Sequence, residues 1–122
     1  MVRAASSPNS KGMRTVSDVV EVVITAPDAD WLAEFARMLL DERLCAGGHS
    51  IERVRSLYRW QGDIHDKAEA RIALHTRSVH VDAIISLANA RHPYDVPCVV
   101  AWPIELGNPD YLAWVMAETR SS

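Results

Sequence analysis

Two arms of alternating side chains, residues 50–60 and 63–76, meet at the dipeptide Gln61-Gly62. In the first arm Ile51, Arg53, Arg55 and Leu57 alternate with Glu52, Val54, Ser56, Tyr58 and Trp60. In the second, alternation runs clearly through Ala70-Arg71-Ile72-Ala73-Leu74-His75-Thr76. A period of two belongs to strands, and Gln61-Gly62 can supply the dihedrals of a tight reversal. The pair therefore reads as one long antiparallel hairpin. Each arm exceeds the usual strand of about five or six residues. Such a hairpin overhangs its sheet and leaves edges carrying Tyr58, Trp60 and Ile72 exposed. Strand edges of that kind are normally covered. A second copy of the chain, joined strand to strand, is the simplest cover.

The other segments limit what the hairpin can join. Residues 19–26, Val-Val-Glu-Val-Val-Ile-Thr-Ala, are β-branched and nearly all apolar, as in a strand covered on both faces. Pro27 stops it and Asp28 is a good N-cap. Trp31, Leu32, Phe35, Ala36, Leu39, Leu40 and Leu44 then recur at helical spacing, which predicts an amphipathic helix over about 29–44 that Gly47-Gly48 ends. Ser78 is expected to cap a second helix with the stripe Val81, Ile84, Ile85 and Ala88, ending near Arg91. Residues 96–104 read as a fourth strand, with Pro103 marking an edge. Asn108 caps and Pro109 opens a last helix. The order β-α-β-β-α-β plus a terminal helix predicts an α+β fold, a split-βαβ antiparallel sheet backed by two helices.

At 122 residues the chain reads as one domain, 18–122, behind a disordered leader at 1–17. The leader holds Arg3, Lys11 and Arg14 and no acid, leaving 10 basic against 16 acidic residues in 18–122. A domain that acidic argues against binding nucleic acid through the phosphate backbone. No apolar run approaches the roughly 20 residues of a membrane helix, and no secretory h-region follows the first basic residue. Cys45 and Cys98 make no C-x-x-C pair and read as reduced thiols of a cytoplasmic protein. G-x-S-x-G, H-E-x-x-H, P-loop and G-x-G-x-x-G patterns are all missing, so no enzyme is expected. The histidines at 49, 65, 75, 80 and 92 are never spaced i, i+2 or i, i+4. Any metal site must be assembled by the fold or by association of copies.

Four motifs carry a resemblance. Ser56-Leu57-Tyr58-Arg59-Trp60-Gln61-Gly62 resembles the S-[IVL]-Y-x-W-x-G hairpin of CutA, the divalent-cation tolerance proteins. Asp41-Glu42-Arg43-Leu44 with Cys45-Ala46 resembles that family's helix end. His92-Pro93-Tyr94-Asp95-Val96-Pro97 is similar to its H-P-Y-[DE]-x-P turn, and the segment from Asn108 to Val115 to its closing helix. The resemblance runs from about Val19 to Glu118. It implies a homotrimer of ferredoxin-like subunits whose long hairpins form intersubunit sheets, similar in architecture to PII signalling trimers. It further implies a cytoplasmic, non-enzymatic protein linked to tolerance of copper and other divalent cations, with no metal required for folding.

His92 precedes Pro93, which keeps it out of helical dihedrals and fixes its ring. An imidazole so held can ligate Cu²⁺ or Zn²⁺, or can simply bond the turn to the helix end together with Tyr94. Glu69 resembles a glutamate usual in the family at this place, either a carboxylate ligand or an ion-pair partner of Arg59. Cys45 is a soft candidate ligand or a packed thiol. Gly47 stands where the family often has Cys, and His49 where Asn is common, so His49 joins the candidate metal ligands. The alternative is a PII-like trimer holding a small anion or a protein segment through Arg43, Lys67 and Tyr94. A third reading is a structural trimer without ligand. Tyr58, Trp60 and Ile72 are expected at the interface between copies.

Overall fold

Val19–Ala26 forms the central strand, β1. It sits where its composition requires, because β-branched side chains on both faces need neighbours on both sides. The computed structural model describes residues 18–122, and the expected leader at 1–17 lies outside the described residues. After β1 come α1 (Ala29–Asp41), β2 (Gly47–Trp60), β3 (Asp63–Arg77), a single 3₁₀ turn (Ser78–His80), α2 (Val81–Arg91), β4 (Val99–Pro103) and α3 (Pro109–Glu118). The four strands form one sheet in the order β2-β3-β1-β4, every neighbour antiparallel. The expected α+β arrangement is present, with β4 as the short edge that Pro103 marks.

Val20, Val22, Ile24 and Ala26 of β1 share a face with Ala70, Ile72 and Leu74 of β3, and α1 lays Leu32, Phe35, Ala36 and Leu39 on it. Ile84 and Ala88 of α2 complete this core. Leu32, Leu39 and Ile84 are wholly excluded from water. Truncating one of them to Ala would cost about 2–5 kcal/mol, the transfer loss plus a cavity. The caps behave as their chemistry dictates. Asp28 accepts from the backbone N–H of Asp30 at 3.1 Å, and Asn108 from that of Asp110 at 3.0 Å.

Several boundaries differ from expectation. α1 stops at Asp41 because Arg43 takes the left-handed conformation, φ 57°, and turns the chain. Gly47-Gly48 therefore does not end the helix but opens β2, where a Cβ on Gly48 would lie 2.3 Å from the carbonyl oxygen of Ala73. Ser78 does not cap α2; its N–H is bonded to the carbonyl of Asp18 and it begins the 3₁₀ turn. The fourth strand covers only 99–103, since residues 92–98 form a turn. Ile72 is not on an edge. It lies on interior strand β3, 6% exposed within the core, and is unavailable to another copy.

The hairpin overhangs as its length requires. β1 pairs with β3 only from Ala70 to Arg77, so residues 63–69 of β3 and their partners in β2 project past the sheet. At about 3.3 Å per residue the projection is about 23 Å. Gln61 and Gly62, at φ 51° and 88°, make the two-residue reversal at its tip.

Candidate functional site

The projecting hairpin and the turn at 92–98 form the walls of a cleft of about 860 Å³. The hairpin contributes Tyr58, Trp60, His65, Lys67 and Glu69, and the turn contributes Tyr94, Asp95 and Cys98. Their positions follow from register. Antiparallel pairing sets Tyr58 opposite His65 and Ser56 opposite Lys67, and Glu69 follows two residues on along the same side of β3. Tyr58 and His65 stack at 5.1 Å between centroids, 12° from parallel. Arg55 and Asp66, nearby on the hairpin, form a bidentate pair at 2.8 and 2.6 Å that holds the Asp66 carboxyl below the usual range.

Glu69 is 5% exposed, at the buried end of the cleft. Its Oε2 accepts from the hydroxyl of Tyr94 at 2.6 Å. Its partner is therefore Tyr94, and no ion pair joins it to Arg59. Burial, the Glu69 charge and neighbouring Tyr58 push the Tyr94 phenol well above its ordinary value, so Tyr94 stays protonated and remains the donor.

His92 holds the turn. Its Nδ1 accepts from the backbone N–H of Tyr94 at 2.9 Å, and Nε2 meets the carbonyl of Thr25 at 2.7 Å. A carbonyl can only accept, so Nε2 carries the proton. The ring is 8% exposed and packs edge-on against Trp31 at 5.0 Å. Both nitrogens are committed, and the ring bonds within the turn and to β1 at Thr25 where the sequence suggested a bond to the helix end. A metal would have to displace one of these bonds.

The other candidates lie elsewhere in the protomer. Cys45 is 1% exposed, and burial pushes its thiol up to about 12, leaving little thiolate to ligate a metal. Arg43 approaches the carbonyl of Ala117 at 3.4 Å and Glu118 at 3.8 Å. Its neighbour Leu44 is bonded to Thr76, seven residues along β3 from Glu69 and so about 23 Å from the cleft. Of Arg43, Lys67 and Tyr94, only the last two line the cleft. His49 is exposed on β2, its ring 6.1 Å from that of His75. His75 bridges Glu21 (2.9 Å) and the Tyr111 hydroxyl (2.5 Å), tying α3 to the sheet. Among the described residues, no three His, Cys, Asp or Glu side chains converge on a metal position. One copy therefore does not fit a closed metal site.

His65 and the His75 network are not singled out as site residues by the sequence. The first was legible in principle, since a two-residue reversal at Gln61-Gly62 fixes position 65 opposite Tyr58. The network joins residues 21, 75 and 111, and only the fold brings them together.

Among the exposed large apolar side chains, two groups bear on association. Leu57, Trp60 and Ile64 sit at the hairpin tip. Ile51, Val100 and Trp102 lie on the sheet face opposite α1 and α2, paired with Arg71, Val23 and Glu21. No helix among the described residues is long and apolar enough to cross a membrane.

The sequence profile described as CutA1 divalent ion tolerance protein matches residues 20–118. A mouse protein named CutA is 37% identical over 98 residues, 80% of this chain, which spans only 55% of the mouse protein's length. The divalent-cation tolerance protein CutA of Pectobacterium atrosepticum is 33% identical over 107 residues, covering 88% of this chain and 97% of its own. Among solved structures, CutA1 from Oryza sativa superposes with a TM-score of 0.82 at 33% identity, over 88% of this chain and 98% of that one. CutA from Xylella fastidiosa gives 0.80 at 36% identity, over 85% and 100%. With a family profile spanning nearly the whole described sheet and its helices, this chain belongs to the CutA1 divalent ion tolerance family.

Proposed function

We propose that the chain acts in divalent-cation tolerance as a homotrimer, its copies joined through the projecting hairpins and the open sheet face. The overhang carries this reading. A hairpin projecting about 23 Å with Leu57, Trp60 and Ile64 exposed is costly to leave in water, at about 25 cal/mol per Å² of apolar surface. β2 and β4 are both edge strands and offer free ladders to another copy. Its role is binding rather than catalysis. The exposed, unbridged thiol of Cys98 suits the reducing cytoplasm.

Copper and other divalent transition metals are the cations proposed as ligands. The donor left open for such a metal is the exposed imidazole of His49. The anion-binding PII-like reading retains Lys67 and Tyr94 but loses Arg43 from the cleft of the same copy. Sedimentation velocity of a Leu57→Asp, Ile64→Asp double variant tests the association. The expected result is dissociation to a folded monomer; an unchanged sedimentation coefficient would argue against hairpin-mediated assembly.

A further inference from the structure

We infer that the cleft between the hairpin and the 92–98 turn is a binding site for a small organic ammonium ion, seated on Glu69 and walled by Tyr58, Trp60 and Tyr94. All these groups come from one copy, and because the same hairpin joins copies in the proposed trimer, the inference rests on that assembly leaving the cleft open.

Glu69 is 5% exposed, yet only Oε2 has a hydrogen-bond partner among the described residues, the Tyr94 hydroxyl. Its second oxygen makes no hydrogen bond and no ion pair there. A buried charge normally has a counter-charge and filled lone pairs, because desolvation otherwise costs several kcal/mol. Tyr94 supplies one neutral donor and, with its phenol held protonated, cannot compete as an anion. The vacant lone pairs call for a donor carrying positive charge.

The walls select its kind. Tyr58, stacked on His65, and Trp60 and Tyr94 all line the same cleft. Aromatic faces around a carboxylate favour an ammonium head with a short apolar stem, through cation–π attraction and burial. A hard divalent metal prefers several oxygen ligands, and one carboxylate with phenols does not supply them.

The cations already at the cleft do not fill this role. Arg55 is engaged by Asp66 in a bidentate pair. Lys67 is exposed, on the same side of β3 as Glu69, and makes no ion pair with it among the described residues. Lys67 is thus a like charge for an ammonium ligand and an attractive one for an anion, which separates the two readings.

Calorimetric titration of the full chain with n-butylammonium chloride tests the site, with sodium phosphate and copper(II) chloride as comparison ligands. Binding of n-butylammonium is expected, and Glu69→Gln should weaken it about tenfold or more, as loss of a charge-assisted bond does. Lys67→Ala, which removes a like charge from the cleft, should tighten it. Tyr94→Phe, which keeps the ring and removes only the hydroxyl, provides a second variant if Glu69→Gln fails to fold; its binding should weaken less than that of a charge loss. Absence of n-butylammonium binding in the millimolar range would overturn the inference. So would phosphate binding that Lys67→Ala abolishes, or copper binding lost in Glu69→Gln without any ammonium binding.

Discussion

His92 illustrates how a residue's surroundings decide its chemistry. With Nδ1 accepting from Tyr94 and Nε2 donating to Thr25, the imidazole has no lone pair left for a metal. His92→Ala is therefore expected to lower stability by about 2 kcal/mol, the loss of two buried bonds and an edge contact with Trp31, while copper affinity in calorimetry stays unchanged. A selective loss of copper binding with unchanged stability would reinstate it as a ligand. The two thiols differ in the same manner. Cys98 is exposed, whereas Cys45 is buried with its thiol raised to about 12. Since the thiolate is the nucleophile, iodoacetamide at pH 8 should modify one cysteine per native chain, and both only after unfolding. Labelling of Cys45 in the native chain would contradict this packing. Tyr94 and Tyr111 both have raised phenols, so folding favours their neutral forms. That contribution is present below the ordinary tyrosine value of about 10 and is lost as pH rises through the folded values. In an ultraviolet titration, these two tyrosines should ionise above the ordinary tyrosine value.

At the scale of elements, the hairpin, the caps at Asp28 and Asn108 and the helical stripes were legible because each is a local pattern of a few residues. The end of α1 was not. Arg43 takes a left-handed conformation that favours glycine, and nothing in its side chain announces it. Ile72 was misplaced for a different reason. Alternation says which face a residue points to but not whether its strand lies inside or at the edge of the sheet; pairing of β1 with β3 decides that. Of the site, Glu69 and Tyr94 could be singled out one by one, yet their 2.6 Å contact joins segments 25 residues apart. The two neighbouring glycines of β2 yield a contrast that tests this register. Gly48→Ala forces a Cβ to 2.3 Å from the Ala73 carbonyl and should cost at least about 2 kcal/mol in denaturant unfolding. Gly47→Cys meets only Trp114, at 3.5 Å, and should be tolerated. Equal losses at both positions would mean that the register is wrong.

The whole molecule is a sheet covered on one face by α1 and α2 and partly on the other by α3, with a hairpin too long for it. Trp102, Val100 and Ile51 on the open face, and Leu57, Trp60 and Ile64 at the tip, are surface that a monomer leaves wet. Edge strands β2 and β4 lie at opposite ends of the sheet, so a chain of copies can join edge to edge, and closure into a ring leaves no edge unpaired. A stable single chain would require that this apolar surface be tolerated in isolation. The mass of the full chain in dilute solution, measured by light scattering behind size exclusion, tests the account most directly. It predicts three times the 13.6 kDa of one chain, and a mass of 13.6 kDa that persists on concentration would contradict it.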